Sequence, residues 1–140
     1  MRSSATPICA GENLYLRHEF RELIESQAVD IIMPGIPKCG GLSACRKIAN
    51  LAEIRCVPFA PHSVASSIGT MASAHVGTTV PNFLGLVFHW LNRGYRTTIA
   101  DGGWIIKDGC KNLTDRPGIG LELDEEVAKV HQYPGTTWFE

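Results

Sequence analysis

Two polar side chains in this sequence stand directly after short apolar runs, where they could do chemistry. Glu12 lies in CAGEN, and its carboxylate could bind a hard cation such as Mg²⁺, which prefers oxygen ligands. His62 lies in APHSV, and its imidazole could accept or donate a proton because histidine titrates near neutral pH. Glu12 could equally be a helix-start acid or half of a salt bridge, and a lone histidine is more often structural.

A loop is predicted between these two residues, in the stretch IIMPGIPKCGG at residues 31–41. Its apolar start indicates the end of a buried strand, and its prolines and glycines indicate a loop before a helix. A barrel enzyme would place an acid or base at the loop tip, which here is Gly35. Gly40 and Gly41 could expose amides to an anion or form a tight turn. Lys38 is expected to be a solvated charge near the same rim.

Three amphipathic helices are predicted, one from residue 16, one from about residue 42 to 54, and one over residues 63–76. Their apolar stripes are Leu16, Phe20, Leu23 and Ile24; then Leu42, Cys45, Ile48, Ala49 and Ala52; then Val64, Ile68, Met71, Ala72, His75 and Val76.

Short apolar runs alternate with these helices and end near Glu12, Gly35, His62 and Val87. This spacing of roughly two dozen residues is typical of βα units that build a parallel sheet. A complete (β/α)₈ barrel has eight such units and about 250 residues. We therefore predict an α/β fold in which residues 1–96 form half of a TIM-type barrel, with about four βα units.

The remaining residues, 97–140, change character and are predicted to form an extension rather than a fifth unit. Gly102, Gly103 and the KDG at residues 107–109 indicate turns beside a short strand over Trp104–Ile106. Asp124 is a plausible N-cap of a last short helix, with acidic residues in its first turn.

Composition excludes several classes of partner. The formal net charge of −1 over 140 residues gives no basic stripe, so neither nucleic acid nor an acidic membrane is expected as a partner. No signal peptide or membrane span is recognisable, which predicts a cytoplasmic protein. The five cysteines lack a CxxC pair and are expected to be reduced and mostly buried. The other histidines lie on predicted helix surfaces (His18, His131), on a core stripe (His75) or after the last strand beside Trp90 (His89), and each is expected to be a packing or a solvated surface residue.

The ordered motifs AGEN, PGIPKCGG, PH and PGIGLE resemble the C-terminal part of the enolase superfamily, on the mandelate racemase and muconate lactonizing branch. The pattern is most similar to the acid-sugar dehydratases of the galactonate type. The resemblance implies the C-terminal half of the barrel, in a protein that also has an α+β capping domain. It also implies a Mg²⁺ cofactor held by carboxylates on successive strand ends, and a base that removes the proton α to a substrate carboxylate.

Carried over by position, the resemblance assigns Glu12 as a metal ligand and His62 as the histidine of a His-Asp dyad. The aspartate of that dyad is expected at position 35, where this chain has glycine, and the acid expected on the last strand is replaced by Val87. The other metal carboxylates, the earlier bases and the capping domain are expected upstream of Met1. Weak or absent Mg²⁺ binding by this chain is therefore expected.

Two functions are consistent with these substitutions. The chain could be a fragment of a Mg²⁺-dependent lyase or racemase that acts on a sugar acid or similar carboxylate and is inactive alone. Alternatively, it could be a non-catalytic remnant that serves in binding or oligomerisation. Half a barrel would leave strand edges unpaired, so self-association or a complementary half-barrel chain is expected as a partner.

Overall fold

The computed structural model describes residues 4–89, 94, 98–101 and 106–138. Within these residues the secondary-structure elements are short strands and helices, in the following order: β1 (Cys9–Ala10), α1 (Leu16–Glu25), β2 (Ile31–Ile32), α2 (Ile36–Cys39), α3 (Gly41–Ile54), α4 (Ser67–Gly77), β3 (Ile106–Lys107), β4 (Cys110–Lys111) and α5 (Glu125–Val130).

Parallel pairing joins successive apolar runs in chain order. β1 pairs with β2. Ile32 of β2 pairs in turn with Phe59 in a third segment, residues 57–62, and Phe59 pairs with Phe83 in a fourth segment, residues 82–89. Backbone hydrogen bonds extend the last pairing, because the Leu84 N–H donates to the Phe59 carbonyl at 2.8 Å and the Val87 N–H to that of Pro61 at 3.1 Å. Parallel segments separated by helices confirm the α/β class and the partial (β/α)₈ barrel.

The hydrophobic core lies between these segments and the helices that connect them. In α3, Cys45, Ile48, Ala49 and Ala52 are fully buried at the i, i+3, i+4, i+7 spacing that the sequence predicts. Leu42, the first residue of the predicted stripe, is 44% exposed, so the prediction is wrong at that position. In α1, burial is confined to Phe20 and Ile24 and, in part, to Leu23, whereas Leu16 at the start of the helix is 55% exposed. The prediction that Leu16 belongs to the buried stripe is therefore wrong, because the first turn extends past the edge of the core.

Two local features differ from the sequence prediction. A one-turn helix, α2, precedes α3, and Gly40 joins them in the left-handed conformation (φ 100°) that disfavours other residues. The third predicted helix begins at Ser67 rather than residue 63, which leaves Val64 outside α4 and exposed. Inside α4 the buried face is built from small and polar side chains such as Thr70 and Ser73 as well as Met71.

The C-terminal extension contains an antiparallel hairpin and a short helix. β3 and β4 pair through Ile106 with Lys111 and through Lys107 with Cys110. The expected N-cap of α5 is confirmed, because the Asp124 carboxylate accepts the Val127 N–H at 3.0 Å. Gly102, Gly103 and Trp104, assigned to a turn and a strand by the sequence, lie outside the described residues.

The cysteines are free but are not mostly buried as predicted. Cys39 and Cys45 lie in the core, whereas Cys9, Cys56 and Cys110 are exposed because they stand at the ends of elements rather than on buried faces. In the described part of the chain, no helix has the length and apolar character needed to cross a membrane.

Candidate functional site

Four strand ends meet at one edge of the parallel array. Gly35 pairs in parallel with His62, whose N–H donates to the Pro34 carbonyl at 3.0 Å. The Glu12 carbonyl oxygen lies 3.7 Å from the position that a Cβ on Gly35 would occupy. The Val87 N–H is bound to the residue before His62. Every position singled out from the sequence as a strand end therefore lies at this edge, which we call the site edge.

Glu12 reaches the site edge through a sharp backbone turn after β1. Gly11 has φ +123°, and a Cβ there would come within 2.9 Å of the Phe20 ring, so only glycine fits. The Glu12 side chain is half-buried, and its Oε1 accepts the Asn13 amide at 3.2 Å. Burial raises the pKa of the Cys9 thiol, and the negative charge of Glu12 raises it further.

Lys38 is linked to Glu12 through Asn13, which the sequence did not reveal. The Lys38 ammonium donates to Asn13 Oδ1 at 2.7 Å, and the same amide group donates to Glu12. Lys38 was expected to be only a solvated charge. It is exposed but hydrogen-bonded, because α2 brings it back over the strand end that carries Glu12.

The buried ring nitrogen of His62 is unpaired within the residues that the structure describes. Its Nδ1 is inaccessible to solvent and has no hydrogen-bond partner among the described residues. The ring edge that faces Gly35 carries Cδ2, 4.0 Å from the position of a Cβ on that glycine. A buried polar atom without a partner is costly, and such atoms in native proteins usually point to a missing group.

Glycine is not required at position 35 by the backbone. Gly35 has φ −90° and ψ 121°, an extended conformation that any residue adopts. A Cβ there would make only ordinary contacts, at 3.7 Å and beyond. Gly35 thus differs from Gly11 and Gly40, whose conformations do need glycine. A side chain can therefore begin at position 35, beside His62, without moving the backbone.

The remaining histidines do not join the site edge through their side chains. His18 is exposed on α1, and His131 is exposed at the end of α5, as expected. His75 is half-buried, and its Nε2 lies 3.1 Å from the Ile119 carbonyl, so it ties α4 to the extension. The His89 side chain is exposed. Its backbone N–H donates to the carbonyl of Ser63, the residue that follows the third segment.

The described residues do not by themselves form a metal centre. Among them, no group of three or more histidine, cysteine, aspartate or glutamate side chains could hold an ion. Mg²⁺ demands near-octahedral coordination by oxygen ligands. At the site edge Glu12 is the one carboxylate among the described residues, and its Oε1 already accepts the Asn13 amide, so these residues do not by themselves fit the ion.

Comparison with known proteins agrees with this architecture. The model of the family described as "Enolase C-terminal domain-like" matches residues 1–127. The chain belongs to the enolase C-terminal domain-like family. This enolase-like chain is 42% identical over 139 residues to the D-xylonate dehydratase of Haloferax volcanii, covering 99% of the chain and 34% of that protein.

Solved structures extend the likeness of the enolase-like chain to the fold. A mandelate racemase/muconate lactonizing enzyme-like protein from Rubrobacter xylanophilus is 48% identical, with a TM-score of 0.89 over 99% of this chain and 36% of that one. An enolase from Pantoea ananatis, solved with bound D-gluconate and Mg, is 29% identical, with a TM-score of 0.82 over 96% of this chain and 32% of that one. The chain thus spans about a third of the length of these proteins.

Proposed function

We propose that this chain is the C-terminal barrel portion of a sugar-acid dehydratase-type protein and that it does not catalyse dehydration alone. The observation that carries the proposal is the pairing of Gly35 with His62 at the edge shared by Glu12, where the buried His62 Nδ1 has no partner in the described part of the chain. In the proposed division, residues 1–96 carry the barrel units and residues 97–140 form the extension.

His62 is proposed as the proton-transferring group. Histidine is suited to this work near neutral pH, and the half-buried position of His62 at a parallel strand end is where barrel enzymes act on substrates. Proton transfer also needs the imidazole held in one orientation and one tautomer, normally by a hydrogen bond at the second nitrogen. Among the described residues nothing makes this bond at Nδ1, so we expect His62 to transfer protons poorly.

Glu12 is proposed as a ligand for Mg²⁺ in the complete site. When bound in such enzymes, the ion stabilises the negative charge that develops on the substrate carboxylate. The described residues offer the ion too few ligands, and we therefore expect this chain alone to bind Mg²⁺ weakly or not at all. The Mg in the Pantoea ananatis enolase supports the choice of ion.

The proposed small-molecule partner is a sugar acid, which the name of the D-xylonate dehydratase and the D-gluconate in the Pantoea ananatis enolase support. The proposed macromolecular partner is a second copy or a complementary half-barrel chain. In the part of the chain that the structure describes, β1 pairs on one side with β2 and has no strand on its other side. Such an edge is open to pairing with another chain.

A non-catalytic role in binding or oligomerisation is the second candidate function. It is favoured by Gly35 and Val87, which both stand at the site edge where the family resemblance implies acids. The two candidates differ in what a partner would restore. A fragment of a lyase would gain activity with the missing portion, whereas a remnant would not.

The first test measures chemistry directly. The purified chain is incubated in D₂O with Mg²⁺ and a panel of sugar acids (D-xylonate, D-gluconate and D-galactonate), and α-proton exchange is followed by NMR. We expect no exchange above the rate without protein, and no Mg²⁺ binding at micromolar concentration by calorimetry. Exchange together with micromolar Mg²⁺ binding would show that the chain is active alone and would disprove the proposal.

The second test restores the missing acid with Gly35→Asp. Because a Cβ fits at this position, we expect the variant to fold, and its carboxylate to accept a hydrogen bond from the His62 ring after a 180° rotation about χ2. This hydrogen bond should shift the ring proton and nitrogen resonances of His62 in NMR spectra relative to the parent chain. His18, exposed on α1, serves as the internal control, and its ring resonances should stay in place. Unchanged His62 ring resonances in a folded variant would show that the two positions do not form a dyad.

A further inference from the structure

A second concave region lies between α4, the fourth segment and the β3–β4 hairpin. It is a cavity of about 760 Å³, within the range of roughly 300–1,000 Å³ that is usual for small-molecule sites. Most of its wall is apolar. The apolar side chains come from both sides of the cavity, from Phe83, Leu86 and Phe88 in the fourth segment and from Ile106 and Leu113 in and after the hairpin.

Among the described residues that line this cavity, Lys111 at the end of β4 is the one lysine. Lys111 is half-buried, and its side chain makes no ion pair with any of the residues that the structure describes. Burial lowers the pKa of the Lys111 ammonium to about 8, and no carboxylate offsets the effect. At pH 7 roughly a tenth of this amine is uncharged, compared with less than about a thousandth for a lysine with the reference pKa near 10.4.

We propose that this cavity binds aldehydes with an apolar body and that Lys111 condenses with them as a nucleophile. An uncharged lysine in an apolar pocket is the form that attacks carbonyl groups. The amine nitrogen bonds to the carbonyl carbon and gives a carbinolamine. Loss of the oxygen with the two former N–H protons, as one molecule of water, gives the C=N bond. The step is redox-neutral and needs no further reactant.

The lining selects an apolar aldehyde over a charged one. The walls offer aromatic and aliphatic contacts on both sides. Among the described lining residues the other titratable groups are Asp108 and Cys110, both exposed on the hairpin. A thiol such as Cys110 adds to aldehydes only reversibly, without forming a C=N bond. Reduction with borohydride therefore records reaction at Lys111 and not at Cys110.

The hairpin also provides a matched control. Lys107 lies on β3 opposite Cys110, is exposed and does not line the cavity. The full chain is incubated at pH 7 with 2-naphthaldehyde, reduced with borohydride and mapped by peptide mass spectrometry. We expect the fraction modified at Lys111 to exceed that at Lys107 by at least about tenfold. Equal modification of the two lysines would overturn the proposal.

A cavity-filling variant separates binding in the cavity from simple amine reactivity. Gly85 lines the cavity, and a Cβ there would meet nothing within 4 Å, so Gly85→Val fills space without a clash. In this variant we expect the fraction of Lys111 modified by naphthaldehyde to fall by about fivefold relative to the parent chain. The fraction modified by formaldehyde should change by less than about twofold. Lys111→Arg should lose the adduct at position 111 with both reagents, and circular dichroism checks that each variant is folded.

Two results would count against a small-molecule site. If Gly85→Val left the naphthaldehyde reaction unchanged, the cavity would not be where the reagent binds. If Lys111 became less reactive toward the aldehyde as the protein concentration rose, the apolar walls would be an interface between copies of the chain. Either result would overturn the proposal.

Discussion

The parallel region, residues 8–89, and the described part of the C-terminal extension are held together in different ways. In the parallel region the helices bury whole side chains, among them Phe20, Ile48 and Phe59, against the paired segments. In the extension, α5 has no buried residue. The contacts of the extension include hydrogen bonds and exposed ion pairs, such as Arg116 with Asp101 at 2.6 Å. Buried apolar area stabilises a fold far more than exposed ion pairs do, so we expect the two regions to respond differently to substitution.

The largest effect is expected for Phe59→Ala in the third segment. Phe59 is fully buried and pairs with segments on both sides, so its truncation removes apolar contacts and leaves a cavity. We expect a loss of about 3–5 kcal/mol in the free energy of unfolding, measured by urea denaturation. Val130→Ala, in α5 and 80% exposed, is the control from the other region and should change stability by less than about 0.5 kcal/mol. Similar losses in both variants would remove the distinction between the regions.

A smaller effect is expected for Asn82→Ala, which tests polar contacts inside the parallel region. The Asn82 amide donates to the Ala49 carbonyl at 3.1 Å and to the Val57 carbonyl at 2.9 Å, and so joins α3 to the third and fourth segments. Its removal leaves two carbonyls without this donor, at a cost of about 1–3 kcal/mol in the same denaturation experiment. Asn50→Ala, at an exposed position in α3, should be close to neutral. A neutral Asn82→Ala would show that burial alone holds the region.

The smallest effect is expected in the extension, for Asp101→Asn. The Asp101 carboxylate accepts the Glu122 N–H at 2.7 Å and pairs with Arg116, and these contacts hold the Asp101 pKa below its usual value. Because the pKa is lowered in the folded state, the stabilisation is complete above the unfolded value of 3.8 and is lost as the pH falls through the folded value.

Amide hydrogen exchange at Glu122 measures this contribution locally. We expect faster exchange in Asp101→Asn than in the parent chain at pH 7, and a difference that shrinks as the pH falls below about 4. Unfolding of the parallel region should be unchanged in this variant. A shift of the global transition as large as that of Asn82→Ala would mean that the extension and the parallel region unfold as one unit.

The sequence was sufficient for features that a regular period specifies. Cys45, Ile48, Ala49 and Ala52 recur at helical spacing, and the structure buries all of them on one face of α3. The repeat of strand ends also placed Glu12, Gly35 and His62 at a common edge, because parallel βα units put each strand end at the same side of the sheet.

Features that depend on tertiary neighbours were not predictable in this way. The exposure of Leu16 follows from where the core ends, which the helical period does not indicate. The contact from Lys38 to Asn13 spans 25 residues and depends on the one-turn helix α2, which is too short to leave a periodic signal. The roles of Glu12 and His62 in chemistry remain predictions from the family resemblance.

The order of the parallel segments also has a kinetic consequence. Each segment pairs with its neighbours in the sequence, and the pairings Cys9 with Ile31, Ile32 with Phe59, and Phe59 with Phe83 all close loops of about two dozen residues. The loop-closure entropy rises only slowly with length, and no pairing between the described segments has to wait for a distant part of the chain. Successive segments can therefore dock in the order in which a ribosome would release them.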